Sequence, residues 1–251
     1  MVRQHVDNSR ARTDAMTAPN QQADLSRLVT QASGILLDFD GPVCRVFAGL
    51  STNLVADQLR GVLKEIGARL PEPIEHTVDP MDLLRFSASF GPETVRRIDA
   101  IFRNLEVTAV RSAEPTRHAH AVIRACHKSG RRLAVVSNNA QEAVEAYLAM
   151  HGLTDWVDAV VGRPFAAPQQ MKPDTYLLRL AVETLGEQPE RCLMIGDSTT
   201  DMVSAKAIGV HRVGYANKPR KREPLAEAGA DFIIASMTEL QDALLERLPR
   251  A

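Results

Sequence analysis

Little in this sequence could staple it, carry it through a bilayer or draw it to a polyanion. Its three cysteines, Cys44, Cys126 and Cys192, are odd in number and far apart. No pair has zinc-finger or CxxC spacing, which points to free thiols in a reducing, cytoplasmic setting. No apolar run approaches the length of a membrane span, so no membrane partner is expected. Thirty basic side chains against thirty-one acidic ones leave a net charge of −1. Such a balance provides no whole-protein field to gather nucleic acid. Neither a Walker loop nor a GxGxxG fingerprint is present, which argues against nucleotide hydrolases and dinucleotide enzymes. A phosphate-bearing ligand must therefore be caught by a local site.

The 251 residues, 45% of them hydrophobic, suffice for a core domain with a smaller insert and no disulfides. Residues 1–23 are polar and read as a disordered N-terminal extension, with a short helix expected from Asp24. Gly34-Ile35-Leu36-Leu37 is a continuous apolar run, as in a strand buried on both faces. From Val43 to Ala113 only helical spacing appears: Leu54 to Ile66, Met81 to Phe90 and Glu93 to Val110, broken by Pro71, Pro73 and Gly91-Pro92. Beyond Glu114-Pro115, strands and helices alternate. Strands are expected at Leu133–Val136, Val157–Val161, Cys192–Ile195, Val210–Val213 and Phe232–Ile234. Helices are expected up to Lys128 and from Ala140, Pro173, Ser198 and Thr238. This pattern predicts an α/β fold: a Rossmann-like doubly wound parallel sheet formed by residues 24–43 and 114–251, with a small helical cap at 44–113.

Ligands of such sheets bind beyond the carboxyl ends of the strands. Three expected strands end there in polar groups: Asp38 and Asp40, Ser137 and Asn138, and Asp197. Each motif has a plain structural explanation by itself. DxDG suits a turn, Ser-Asn suits a helix cap, Lys172-Pro173-Asp174 suits a helix entrance, and Asp201 suits a first helical turn. Together, Asp38, Asp40, Asp197 and Asp201 would put four carboxylates at one end of one sheet, where repulsion raises pKa values unless a cation sits among them. Hard oxygen ligands with water suit Mg²⁺. Lys172 supplies a compact positive charge, and Ser137 and Asn138 supply donors for phosphate oxygens.

In DFDGPV (Asp38–Val43), VVSNN (Val135–Asn139), MKPD (Met171–Asp174) and GDSTTD (Gly196–Asp201) the chain resembles the haloacid dehalogenase superfamily, and in particular its phosphoglycolate phosphatase-like members with a small helical cap. The resemblance implies a Mg²⁺-dependent phosphatase acting on a small phosphorylated metabolite through an aspartyl phosphate. Asp38 would be the nucleophile and Asp40 the general acid and base. Asp38, the Asp40 backbone carbonyl and Asp197 would hold the metal, with Asp201 holding metal-bound water. Ser137, Asn138 and Lys172 would bind the phosphoryl group. A phosphomutase, or a non-catalytic phosphate-binding protein on the same fold, are the alternatives. A monomer or homodimer is expected. Position 42 is Pro where the family usually has Thr or Val, so phosphate contacts at that loop are expected to differ.

Arg45, Phe47, Arg85 and Phe86 are candidates for substrate selection, though core packing and solvation explain each of them as well. His118, His120 and His127 lack metal-ligand spacing and read as a solvated helix face. The basic run Lys218-Pro219-Arg220-Lys221-Arg222 lacks the interleaved aromatics of a nucleic-acid site and reads as a loop in water.

Overall fold

The structure, a computed structural model, describes residues 18–246. Of residues 1–23, expected to be disordered, 1–17 lie outside that range and 18–23 are helical. Helix α1 (Ala18–Gln31) starts ahead of the expected Asp24, since a helix anchored by buried Leu25, Leu28 and Val29 extends at one hydrogen bond per residue. It leads into β1 (Gly34–Leu37), all four residues of which are buried. Ile35 and Leu37 pack on one face of the sheet and Leu36 on the other, the period-2 alternation of a strand covered twice.

A short strand, β2 (Cys44–Arg45), precedes a helical stretch of α2 (Thr52–Glu65), α3 (Glu72–His76), α4 (Pro80–Ser87) and α5 (Pro92–Ala109), and β3 (Glu114–Pro115) follows it. β2 and β3 pair antiparallel, so the helical stretch leaves and re-enters the core through a two-stranded neck. No strand was legible there, because a two-residue ribbon is too short to show alternation. Apolar stripes of α2, α4 and α5 share a core of their own, with Leu59, Leu63, Leu83, Leu84, Ile98 and Phe102 essentially solvent-free. Asp79 caps α4 by accepting a hydrogen bond from the Met81 N–H at 2.9 Å.

The rest alternates: α6 (Ala119–Lys128), β4 (Arg132–Ala140), α7 (Gln141–Met150), β5 (Ala159–Arg163), α8 (Tyr176–Leu185), β6 (Cys192–Gly196), α9 (Thr199–Ala207), β7 (His211–Tyr215), α10 (Arg222–Glu227), β8 (Phe232–Ile234) and α11 (Met237–Leu245). Six strands form one parallel sheet in the order β5-β4-β1-β6-β7-β8. The α/β doubly wound expectation is met. Successive strands step outward from β1 in one direction up to β5 and in the other from β6, so the winding reverses around β1, β4 and β6.

Two boundaries differ for local reasons. β5 begins at Ala159 rather than Val157, because Asp158 crosses to β4: its N–H donates to the Leu133 carbonyl at 2.8 Å and its carboxylate accepts the Leu133 N–H. α8 begins at Tyr176, whose N–H is capped by the Asp174 carboxylate at 2.8 Å. The three histidines separate: His118 sits at φ 67° ahead of α6, His120 bonds the Tyr147 hydroxyl, and His127 packs edge-on to Trp156.

Candidate active site

The carboxyl ends of β1, β4 and β6 open into a cleft of about 370 Å³ beneath the helical stretch. Its floor holds Asp38, Asp40, Ser137, Asn138, Lys172 and Asp197. The chain leaves β1 by a tight turn in which the Val43 and Cys44 N–H groups both reach the Phe39 carbonyl, at 3.0 and 3.1 Å. Gly41 in this turn has φ 112°, and a Cβ there would collide with the Asp197 carboxylate. Pro42 follows it, buried, and supplies no N–H to this turn. Gly196 is required for the same reason as Gly41, since a Cβ there would overlap Asp201. Two glycines thus let the ends of β1 and β6 approach until their carboxylates meet.

Oxygens of Asp38, Asp197 and Asp201 lie within 4.8 Å of one another. Lys172 inserts among them, 2% exposed, with its Nζ 2.8 Å from Asp38 Oδ1, 2.6 Å from Asp201 Oδ1 and 3.1 Å from the Val136 carbonyl. All three of its N–H donors are therefore used. Burial opposes the charge on Lys172, but Asp201 and Asp38 outweigh it and hold the ammonium well above its ordinary pKa. Asp201 is fully buried, and its second oxygen accepts from Ser198 N and Oγ, completing the capping box that starts α9. Lys172 is itself fixed through its backbone: Asn138 accepts the Lys172 N–H at 2.8 Å and donates to the Lys172 carbonyl at 3.1 Å. Ser137 Oγ donates to Asn139 Oδ1 and accepts the Asn139 N–H. Pairing of β4 with β5 slips between Val136 and Ala140, which is where these polar residues leave the regular ladder.

The acidic groups are under electrostatic strain. Burial, then Asp201, push Asp38 well above the usual carboxylate range, although Lys172 opposes this. Asp40 faces the cleft and accepts the Val46 N–H at 2.9 Å; its protein surroundings, with help from Asp197, push it up to about 6. Burial raises Asp197 as well, against the pull of Lys221. A raised folded-state value means that the folded chain holds these protons more tightly than the unfolded chain does. The stability they contribute is full below about pH 4, the unfolded carboxylate value, and for Asp40 is lost as pH rises through about 6. Without divalent ions, the stability of the wild type relative to Asp40→Asn should therefore fall between pH 4 and pH 7, as read by urea denaturation. A difference that rose over that range would contradict these environments.

One site residue was not legible. Lys221, in the basic run expected to be a loop in water, forms an ion pair with Asp197. The pairing is long-range, and charge clustering alone could not reveal it.

A family model for haloacid dehalogenase-like hydrolases matches residues 32–209. The chain belongs to that family. A phosphoglycolate phosphatase from Rhodospirillum rubrum is 30% identical over 90% of this chain and 78% of its own length. A phosphoglycolate phosphatase from Vibrio vulnificus is 32% identical over 49% of this chain, and the match spans about half, 53%, of that protein. A haloacid dehalogenase family hydrolase from Deinococcus radiodurans, solved with bound phosphate and sodium, is 25% identical with a TM-score of 0.58, over 86% of this chain and 96% of that one.

This haloacid dehalogenase-like hydrolase carries a second polar cluster behind the cleft. Arg163, at the end of β5 and 1% exposed, donates to Asp99 at 2.8 and 3.1 Å and to Glu106 at 2.9 and 3.2 Å, both fully buried on α5. It also donates to the Asn138 carbonyl at 2.7 Å and lies over the Phe102 ring. Glu106 in turn accepts from Asn139 Nδ2 at 2.8 Å and from the Ala140 N–H at 3.2 Å. The sequence did hold a signal for it: Asp99 and Glu106, two turns apart, fall on the apolar stripe of α5 beside Ile98, Phe102 and Ala109. Of the candidates for substrate selection, Phe47 lines the cleft. Arg45 pairs with Glu114, Arg85 donates to the Lys172 carbonyl at 3.2 Å, and Phe86 packs on Phe90.

Proposed function

We propose that this hydrolase is a Mg²⁺-dependent phosphatase that cleaves a small phosphomonoester through an aspartyl phosphate on Asp38. The observation that carries this reading is the arrangement at the end of β1. Asp38 Oδ1 is held by Lys172, its Oδ2 accepts no hydrogen bond among the described residues, and Asp40 stands in the same cleft. An Asp38 oxygen attacks phosphorus as the bond to the leaving oxygen breaks, and Asp40 gives that oxygen its proton. Asp40 then takes a proton from the water that attacks the phosphoryl group, which frees phosphate and restores Asp38. A value of about 6 allows Asp40 both states near neutral pH. Phosphoryl oxygens would be met by the Asn138 backbone N–H, by Ser137 Oγ in exchange for its bond to Asn139, and by Lys172 in exchange for its bond to the Val136 carbonyl, and Lys172 also offsets the charge on the nucleophile.

The donor set fits a hard divalent ion: crowded carboxylates whose raised pKa values a cation would relieve. Asp38, Asp197 and the Asp40 backbone carbonyl would hold it, with Asp201 behind them on the water side, since both Asp201 oxygens already accept protein donors. Bound Mg²⁺ would neutralise phosphate charge and help to orient the ester. Occupancy should be visible as stability. At about 100 times its Kd, Mg²⁺ adds about 2.7 kcal/mol, or roughly 5–11 °C in Tm for a chain of this size. Asp197→Asn should abolish the shift. Lys221→Ala, which removes the competitor for Asp197, should lower the Mg²⁺ concentration at half-effect about two- to fivefold.

The direct test is inorganic phosphate release from a panel of phosphomonoesters, 2-phosphoglycolate among them, with Mg²⁺ and with EDTA. Release that needs Mg²⁺ supports the reading. Transfer of phosphate to a second sugar hydroxyl without release would mark a mutase, and binding without turnover would mark a phosphate-binding protein.

A further inference from the structure

The wall facing the phosphate-binding floor is built by the helical stretch. Phe47, Val78, Pro80, Met81 and Phe102 make it largely apolar, Thr52 adds one hydroxyl, and among the described residues its one charged side chain is an acid, Asp79. No arginine, histidine or second lysine lines the cleft among the described residues. Lys172 has no donor left for a substrate's far end, as its three N–H groups go to Asp38, Asp201 and Val136. The other cations nearby are held elsewhere. Arg60 donates to Asp57 and the Thr77 carbonyl and Arg103 to Glu142 and the Arg163 carbonyl, while Lys221, beside Asp197 on the metal side of the floor, does not line the cleft.

An anionic group on the leaving alcohol would give up part of its water against Phe47, Met81 and Phe102 without gaining a cation, and would face the Asp79 carboxylate. An unpaired charge in such a place is costly, and like charges across an interface select against a ligand. An uncharged apolar alcohol would instead bury its surface against Phe47, Met81 and Phe102. Asp79 is tied by its hydrogen bond from Met81 N–H, so the acid stays at the wall. The geometry points to a substrate class: phosphomonoesters of uncharged, largely apolar alcohols, with discrimination against esters that carry a carboxylate. This rests on the phosphatase reading and narrows it. It also separates this chain from the phosphoglycolate phosphatases it resembles, whose named substrate carries a carboxylate.

The test compares matched pairs under saturating Mg²⁺: phenyl phosphate against 3-carboxyphenyl phosphate, and the phosphate ester of glycolamide against 2-phosphoglycolate. Each pair differs mainly in one negative charge. The uncharged member should have the higher kcat/KM by roughly 10- to 100-fold in both pairs. Val78→Arg adds a cation at an exposed position of the wall and should narrow the gap by roughly tenfold, chiefly through KM of the carboxylated ester. Equal or better turnover of the carboxylated members would overturn the inference and leave the phosphatase reading standing. Phosphate release from none of the four, nor from p-nitrophenyl phosphate, would overturn both.

Discussion

Asp38→Asn should fold, keep its secondary structure and release phosphate at least about 10⁴-fold more slowly than the wild type, because removing the proposed covalent nucleophile leaves only binding and orientation to accelerate the reaction. The substitution is sterically conservative, and Lys172 keeps Asp201 and the Val136 carbonyl as acceptors. It also removes one of the crowded carboxylates, the one whose burial and proximity to Asp201 raise its pKa. The metal-free variant should therefore be at least as stable as the metal-free wild type near neutral pH, while its gain from Mg²⁺ shrinks. A loss of activity with a gain in metal-free stability distinguishes a strained functional site from a structural ion pair. If the variant lost both activity and stability, Asp38 would be acting as a buried structural partner of Lys172.

The second large effect is expected on stability. Arg163→Met would leave Glu106 buried on α5 without its guanidinium and Asp99 with Arg103 as its remaining ion-pair partner among the described residues. Burial works against the charge on Arg163, and Glu106 and Asp99 outweigh it, so the cluster is held together by mutual neutralisation. Stranding buried charges in this way costs about 3–5 kcal/mol, or roughly 6–20 °C in Tm. Adding Asp99→Asn and Glu106→Leu to the same chain should recover part of the loss, because an uncharged set needs no counter-ion. The cluster also reaches the segment proposed to bind phosphate, through the Asn138 carbonyl, Asn139 Nδ2 and the Ala140 N–H. Even variants with recovered stability should therefore show a raised KM. Thermal denaturation with steady-state kinetics on the same proteins separates the two effects.

What the sequence made legible depended on range. β1 was visible because Gly34–Leu37 is apolar on both faces, and Asp38 and Asp197 because each directly follows a strand, whereas Ser137 and Asn138 lie within β4 and Lys172 and Asp201 lie further along the chain from a strand end. The parallel sheet brings the ends of β1, β4 and β6 to one edge, so a shared acidic site was legible; that Lys172 bonds both Asp38 and Asp201 was not. The two-residue ribbon of β2 and β3 has no periodicity to read. Lys221 and Arg163 were missed for a different reason: their partners lie 24 and 64 residues away, and nothing local marks a basic residue as buried or paired. Asp99 and Glu106 were the available clue, as acids on an apolar helical stripe predict a hidden cation without saying which one.

The most direct measurement of the central claim is chemical trapping of the intermediate. Enzyme turning over a phosphomonoester with Mg²⁺ would be treated with borohydride, which reduces an acyl phosphate to an alcohol, and then digested for peptide mass spectrometry. The peptide spanning Leu36 to Val43 should carry homoserine in place of Asp38, only when substrate and Mg²⁺ are both present. Active enzyme with an unmodified Asp38, or with the modification at another carboxylate, would contradict the proposed mechanism.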